Sequence, residues 1–378
     1  MDKPARVDFI DWLRVITTLC VFVFHCARFF DTFSGWHVKN AVSWIGGDII
    51  VGFMSQWIMP MFMVLAGAST YYSLKSRKAS QFARERVLRL LVPFLFGVLT
   101  IVVPQAYYEL LYRNQLPCTH LWDCYLLYIQ HLPQQFIDFN FYHLWFLIVL
   151  FIFSLVCLPL LLALFKKGKS PLSLLAEQLN TPWKLLPAII IPLALADTFI
   201  YPGIILGSRG FGGWCLVAHL LFFISGYVIL ANPLISELLR KTSWFAAIGA
   251  ILAGAALIPL TGTWLDWKNS FGTAGYALVQ CAQVVLSLCL LLCIINLGRH
   301  FLNFKNRFLA YASEAVLPFY ILHQTVIIVV GYYVINWDID VSLKYLIILF
   351  ISFGLIMAVY DLLIKRVKVL RFLFGMRI

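Results

Sequence analysis

The chain has 378 residues, of which 62% are hydrophobic and only 12% are charged. A soluble domain carries about 25% charged residues, so this composition excludes an ordinary water-soluble globule and predicts a membrane protein. The net charge of +12 would suggest a nucleic-acid partner in a soluble protein. Here it indicates basic loops that face anionic lipid, and we expect no nucleic-acid partner.

Ten apolar segments of the sequence are long enough to cross a bilayer, which takes about 20 residues of helix. They predict an all-α, polytopic integral membrane protein with one membrane-embedded domain over residues 1–378. The first segment has no small-residue cleavage site behind it and is expected to stay as an uncleaved anchor. The predicted spans are residues 15–33, 45–72, 87–108, 141–165, 184–201, 212–231, 243–262, 271–297, 309–335 and 343–364.

The positive residues alternate in number from loop to loop. With the N-terminus in the cytoplasm, 23 of the 29 Lys and Arg residues fall on the cytoplasmic side of the ten predicted spans. Cytoplasmic loops carry the excess of positive charge in membrane proteins. The count therefore predicts that both termini are cytoplasmic, and it favours an even number of spans.

The first predicted helix carries an unusual polar stripe. His25 follows Arg14 by eleven residues, which is three turns plus about 20°, so the two lie on one helix face roughly 16 Å apart. Asp11 is one turn before Arg14. An ionisable residue within a span is costly and therefore a functional candidate, and histidine is suited to act as a base near neutral pH. The alternative is a histidine that only hydrogen-bonds between helices.

A basic cytoplasmic segment follows the second predicted span. Arg86 and Arg89 are spaced i, i+3 on the helix that begins the third span, and Arg84 lies just before them. Each guanidinium is a planar fork of donors that suits phosphate, so a phosphate-rich cytosolic ligand is one interpretation. The other is that these residues only set the topology.

Further polar residues occur within later spans. His143 and Trp145 open the fourth predicted span, His219 lies in the sixth, and Tyr320 and His323 lie in the ninth. An aromatic belt at the membrane boundary explains Trp145 equally well. The histidines are candidates to line a cavity with the one in the first helix, but the sequence alone does not place them together.

The longest predicted outer loop spans residues 109–140 and contains Cys118 and Cys124. In an extracytoplasmic loop a disulfide between them is expected to be stable, and two free thiols are the alternative. The nine cysteines have no metal-ligand spacing, so no metal is expected. Phosphate-loop, nucleophile-elbow and zinc-protease motifs are absent from the sequence.

These motifs resemble those of the acyltransferase 3 family of integral membrane acyltransferases. That family has an Arg, ten residues and a His in the first helix, matched by Arg14 and His25. Its R-x-x-R at the inner start of the third helix is matched by Arg86 and Arg89. The Asp three residues before the first Arg is matched by Asp11.

Within the family the likeness extends to the glucan succinyltransferases. It is carried by residues 36–38, 143–150, 298–304 and 320–323. Gln324 is a departure, because that subgroup tends to have a second His at this position.

The resemblance implies acyl transfer from cytosolic acyl-CoA, a co-substrate that would be succinyl-CoA or acetyl-CoA, to hydroxyls of an extracytoplasmic glycan such as periplasmic glucan. Succinyl is favoured over acetyl. His25 would be the general base or would accept the acyl group transiently, and Arg14 and Asp11 would organise the donor entrance. CoA phosphates would be held by Arg84, Arg86 and Arg89.

On the acceptor side, the resemblance makes His143, Trp145, Tyr320 and His323 candidate substrate-binding residues. It also implies a multi-pass protein of the bacterial inner membrane, with membrane lipid and the glycan as partners and a homo-oligomer left open. The competing interpretation is a glycan or lipid transporter or flippase without covalent chemistry, since transporters also place polar residues near mid-membrane. A sensor or scaffold without chemistry is a third hypothesis.

Overall fold

The computed structural model describes residues 8–118, 120–164, 171–261 and 270–377, and all regular secondary structure within these ranges is helical. The predicted all-α class is therefore confirmed. The main helices are α1 Asp8–Ala27, α2 Ile45–Ser55, α3 Ile58–Ser76, α4 Ala79–Tyr112, α5 Leu121–Asp138, α6 Trp145–Val156, α7 Leu158–Leu164, α8 Pro171–Gln178, α9 Pro182–Phe199, α10 Leu216–Ala231, α11 Pro233–Lys241, α12 Ser243–Thr261, α13 Ala274–Phe301, α14 Arg307–Val334, α15 Val341–Ile364 and α16 Lys368–Leu373.

Each of the ten predicted spans overlaps helix in the described chain. Eight segments there are long and apolar enough to cross a bilayer, and the bent pair α10 and α11 makes up to nine. The pair bends by 105° because Pro233 follows Asn232, whose side chain caps α11 by accepting from the backbone N–H of Leu234 at 2.9 Å. The seventh predicted span coincides with α12, whose apolar part is shorter than a membrane span requires. The last residue of that predicted span lies outside the described residues. The cytoplasmic placement of the termini stays a prediction.

The fourth predicted span differs most from the structure. Helix α5 occupies most of the segment that we expected to be an outer loop, and residues Trp122–Val156 together form one candidate span. Cys118 and Cys124, at the start of this segment, form a disulfide. The mixture of polar and apolar residues concealed the helix, because α5 keeps exposed polar groups such as His131 beside apolar ones.

The chain divides into two compact units, and α1 contributes to both. The single membrane domain over residues 1–378 stays a prediction. The first unit contains Met1–Arg14, Ser55–Ala83 and Ile152–Lys305. Its most extensive helix pairings join α3 to α10 and α12 to α13.

Two glycines let α3 and α10 cross at close range in the first unit. A Cβ on Gly67 would collide with the carbonyl oxygen of Phe223, and a Cβ on Gly226 would collide with that of Val64. Small residues at such crossings allow the close backbone approach that stabilises helix pairs in membranes.

Gly67→Ala is therefore expected to lower the free energy of unfolding by about 1–3 kcal/mol, as overpacking does in a close-packed interior. Thermal unfolding in detergent measures this. Gly354→Ala is the matched control, because a Cβ there meets nothing within 4 Å. Equal unfolding temperatures for both variants would contradict the close crossing.

The second unit contains Val15–Met54, Arg84–Phe151 and Asn306–Ile378. In this unit α14 packs against α15 and against the last part of α4. Side-chain hydroxyls from other helices satisfy carbonyls of α4: Tyr128 donates to Val98 O at 2.9 Å and Thr325 donates to Ile101 O at 2.8 Å. Within a membrane this internal satisfaction of the backbone is required.

Helix α4 is not a uniform α-helix. It contains two π turns, Val87–Leu91 and Gly97–Ile101, each shortly before a proline. Pro93 lacks an N–H, so the carbonyl of Arg89 receives no α-helical hydrogen bond from it, and Pro104 has the same effect after the second turn. Such π turns inside helices are frequent at functional sites.

Candidate active site

Helix α1 carries both residues of the Arg–His motif, with Arg14 in the first unit and His25 in the second. In the first unit the Arg14 guanidinium donates to Asp11 Oδ1 at 3.2 Å and to Ser69 Oγ at 2.7 Å. Asp11 is buried, whereas the Arg14 side chain keeps 34% of its surface exposed. The arginine is thus held by its neighbours and still offers part of its surface to a ligand.

In the second unit His25 pairs with His323 of α14. The planes of the two rings are nearly parallel, 11° apart, with His25 Nδ1 3.0 Å from His323 Nε2. On its other side, Nδ1 of His323 lies 2.5 Å from the carbonyl oxygen of Tyr320, which can only accept. Nδ1 of His323 must therefore carry the hydrogen, and in a neutral ring its Nε2 is then the acceptor.

This chain of hydrogen bonds fixes the tautomer of His25. Because His323 Nε2 accepts, His25 Nδ1 must donate, so a neutral His25 has its lone pair on Nε2. His25 is only half-buried. Its Nε2 is thus left as the nitrogen with a lone pair, on a ring whose orientation is set by its neighbour.

Two other predicted residues belong to the same cluster. His143 packs edge-on against His323, with ring centroids 5.1 Å apart, and its Nε2 donates to Ile321 O at 3.0 Å. Tyr320 donates its hydroxyl to the carbonyl of His143. Nδ1 of His143 is buried and has no partner among the described residues.

The segment between α1 and α2 is folded around a buried carboxylate. Asp31 accepts from Arg28 and from Lys39, each at 2.9 Å, and from the backbone N–H of Phe33 at 2.7 Å. Burial raises the pKa of Asp31, against the opposing effect of the two cations. The guanidinium of Arg28 also lies 5.6 Å from the Trp36 ring. These contacts hold the segment that presents Trp36 and the residue after it.

That next residue, His37, is the centre of a second polar cluster. Its Nδ1 donates to Glu109 Oε2 at 2.6 Å, and its Nε2 lies 2.9 Å from the amide nitrogen of Gln324 and 3.3 Å from that of Gln105. Arg113 pairs with the other oxygen of Glu109 at 2.7 Å. A cation and a ring N–H at the same carboxyl favour its ionised form.

The two clusters share an aromatic wall. The Trp36 ring lies 5.2 Å from the His25 ring and 4.9 Å from the His37 ring, measured between centroids. Gln324 follows His323 directly in α14. Trp36 and the consecutive residues His323 and Gln324 therefore connect the two clusters.

The acyltransferase 3 family, described as an acyltransferase domain, matches residues 7–361. The chain belongs to the acyltransferase 3 family. It is a multi-pass membrane acyltransferase.

The acyltransferase 3 match agrees with individual relatives. Over 390 aligned residues the chain is 24% identical to glucans biosynthesis protein C of Escherichia coli (strain K12 / DH10B), covering 98% of this chain and 95% of that protein. The protein of the same name from Salmonella heidelberg (strain SL476) is also 24% identical, over 383 residues with the same coverage. No solved structure matches the chain.

The R-x-x-R of this acyltransferase lies on α4, where the structure modifies the expected geometry. Arg84 is exposed, and Arg86 and Arg89 are half-buried. The π turn Val87–Leu91 begins directly after Arg86 and contains Arg89. Part of a π turn, rather than regular α-helix, therefore separates Arg86 from Arg89.

The remaining predicted residues have other surroundings. Trp145 is buried at the start of α6, with its ring 6.1 Å from that of Phe146. His219 lies in the first unit, where its Nε2 donates to Phe211 O at 2.8 Å. Among the described residues no group of three or more His, Cys, Asp or Glu has a metal-binding arrangement.

The sequence interpretation missed three polar residues of the two units, Ser69, Gln105 and Glu109. Gln324 was noted only as a departure from the glucan succinyltransferases. Gln105 and Glu109 are one turn apart on a single face of α4, which is the kind of signal that could have been noticed. Ser69 and Gln324 are ordinary polar residues in helices, and only their contacts distinguish them.

Proposed function

We propose that this acyltransferase moves an acyl group, succinyl rather than acetyl, from cytosolic acyl-CoA to hydroxyls of an extracytoplasmic glycan such as a periplasmic glucan. Its place would be the bacterial inner membrane. The name of the relatives, glucans biosynthesis protein C, supports a glucan as the acceptor. The observation that supports the proposal most directly is the hydrogen bond between His25 Nδ1 and His323 Nε2 at 3.0 Å, which leaves Nε2 of the half-buried His25 as the nitrogen with a lone pair.

In this reaction His25 is the general base. Its Nε2 removes the proton of the acceptor hydroxyl as the oxygen attacks the thioester carbonyl carbon. The new C–O bond forms, the C–S bond breaks, and the proton passes from the imidazolium to the leaving CoA thiolate. A positioned base of this kind contributes about 10²- to 10⁴-fold to a rate.

His323 is a positioning residue, because it acts through His25. When His25 takes up a proton at Nε2, its Nδ1–H still donates to His323, so the hydrogen bond persists and favours the cation. Before the reaction, the same hydrogen bond from Nδ1 of His25 keeps the neutral ring in the tautomer that has a lone pair on Nε2. This is the general role of a second residue that orients a catalytic histidine.

The donor side is assigned to the basic residues of α4 and to the start of α1. Arg86 and Arg89 would bind the CoA phosphates, with Arg84 as a more exposed contact. Paired guanidiniums are suited to phosphate because each makes two parallel hydrogen bonds. Arg14, held by Asp11, would contact the donor where it enters.

His323→Leu is expected to lower kcat roughly 10- to 100-fold, because the Nδ1–H of His25 loses its acceptor and the tautomer is no longer fixed. His323→Gln should recover part of the rate, since an amide oxygen also accepts. The KM for succinyl-CoA should not change in either variant. Equal losses in both variants would contradict a positioning role.

Mass spectrometry of cell-envelope glycans, with and without the protein, tests the proposed function. The glycans of cells that contain it should carry the additional mass of a succinyl group on their hydroxyls. Identical glycans in both strains would overturn the proposal. Acetylated glycans would support acyl transfer but would contradict succinyl-CoA as the donor.

A further inference from the structure

The His37 cluster is not used by the proton transfer at His25. It consists of a carboxyl group and two amides on candidate membrane helices, together with a histidine of the irregular segment between α1 and α2. Polar groups on membrane helices are costly and are functional candidates. The side chains of His37 and Glu109 each keep 17% of their surface exposed, so a ligand can reach both.

Within this cluster there are more hydrogen-bond donors at His37 Nε2 than that nitrogen can accept. Nδ1 of His37 donates to Glu109, so Nε2 has a single lone pair. The amide nitrogens of Gln105 and Gln324 both point at that lone pair, and one ring nitrogen accepts only one good hydrogen bond. One of the two amides therefore has an N–H that His37 cannot accept. This N–H lies next to a carboxylate whose oxygens can accept further hydrogen bonds.

The walls of the cluster add a donor and two aromatic faces. The indole Nε1 of Trp36 is buried and has no partner among the described residues. The Tyr142 ring lies 5.3 Å from that of His37, and the Tyr142 backbone has a φ of 52°. A bulky residue in the left-handed region is strained, and such strain is concentrated at ligand-binding and active sites.

The chemistry of the cluster selects a neutral polyol. An N–H donor next to a carboxylate acceptor matches neighbouring hydroxyls, each of which both donates and accepts. The charge of Arg113 is already paired with that of Glu109, so this ion pair leaves no surplus positive charge for a phosphate or a lipid phosphodiester. Aromatic walls with a few convergent polar groups are typical of small-molecule sites.

We infer that His37, Glu109, Gln105 and Gln324, with Trp36 and Tyr142 as walls, form the subsite that binds the acceptor sugar through neighbouring hydroxyls. This rests on the proposed function. Because Trp36 contacts both histidine rings, the sugar held at His37 presents its next hydroxyl to His25. The subsite therefore determines which hydroxyl is acylated.

Two variants test the subsite in the full-length protein. Glu109→Gln replaces an acceptor oxygen by a donor, and Gln324→Leu removes the amide while keeping similar bulk. Each is expected to raise the KM for linear glucose oligomers about 10- to 100-fold, the effect of losing a hydrogen bond to a charged group or leaving one unmade. The KM for succinyl-CoA should be unchanged.

The matched control is Glu314→Gln. Glu314 pairs with Arg371 at 3.1 Å in the same unit, so this variant also removes one carboxylate from an ion pair, and its KM for the oligomers should equal that of the wild type. Stabilisation by CoA against heat reports whether each variant is folded. If Glu109→Gln fails to fold, Gln324→Leu alone decides.

Equilibrium dialysis of labelled glucose oligomers without acyl-CoA separates the subsite from the proposed reaction. Weaker binding by both variants, with normal binding by the control and by His25→Ala, supports the subsite even if no acyl transfer is found. Acyl transfer with an unchanged KM for the oligomers in both variants overturns the subsite and leaves the proposed function standing. Equal binding of the oligomers by the wild type and all of these variants also overturns the subsite.

Discussion

Replacing His25 with alanine is expected to lower kcat for acyl transfer by about 10²- to 10⁴-fold, the usual contribution of a positioned general base. The KM for succinyl-CoA should change little, because in the proposed reaction His25 contacts the reacting hydroxyl and not the CoA phosphates. Initial rates with purified protein in detergent or vesicles measure both. His25→Gln should not restore the rate, since an amide has no basic nitrogen.

The matched control is His131→Ala, because His131 is an exposed histidine of α5 in the same unit and should be dispensable. Stabilisation by CoA shows that the variants remain folded. Full activity of folded His25→Ala would contradict the assignment of the base. A covalent acyl group on His25 in rapidly quenched wild type would instead identify His25 as a nucleophile that carries the acyl group.

Removing both Arg86 and Arg89 is expected to have the largest effect on donor binding. Each alanine variant should raise the KM for succinyl-CoA about 10- to 100-fold, because hydrogen bonds to charged groups contribute about 1.5–3 kcal/mol. The double variant should bind succinyl-CoA more weakly than either single variant. Lysine at either position should recover only part of the loss, since it retains the charge but not the planar fork.

Arg84→Ala provides the comparison on the same helix, and its effect should be smaller because Arg84 is exposed and surface charges are screened by solvent. Isothermal titration with CoA gives the dissociation constants without turnover. An unchanged constant in the double variant would contradict the donor site and favour the interpretation that these arginines only set the topology.

Several features of the fold could be predicted because they depend on local sequence. Apolar length identified the helices, and the period of the α-helix placed Asp11 beside Arg14, where the structure has an ion pair of 3.2 Å. The break after α10 and the π turns of α4 were not predicted. They depend on how Asn232 and Pro93 redistribute backbone hydrogen bonds, and a proline in an apolar segment does not by itself reveal whether the helix bends or continues.

The site was harder to predict than the fold because its contacts are distant in sequence. His25 and His323 are 298 residues apart, and only the packing of α14 in the second unit brings the rings together. His37 lies in an irregular segment whose conformation depends on the buried Asp31, so its pairing with Glu109 has no helical or strand period to indicate it. Motifs thus identified single residues, and the structure added their hydrogen-bond partners.

In the proposed reaction an acyl group crosses the membrane while its CoA remains in the cytoplasm. Sealed vesicles with the cytoplasmic face outward test it most directly, with glucose oligomers enclosed and succinyl-CoA supplied only outside. We expect succinylated oligomers in the lumen with wild-type protein and about 10²- to 10⁴-fold slower formation with His25→Ala. Succinylation only when both substrates are on the same side, or movement of unmodified oligomers across the membrane, would contradict the proposed reaction.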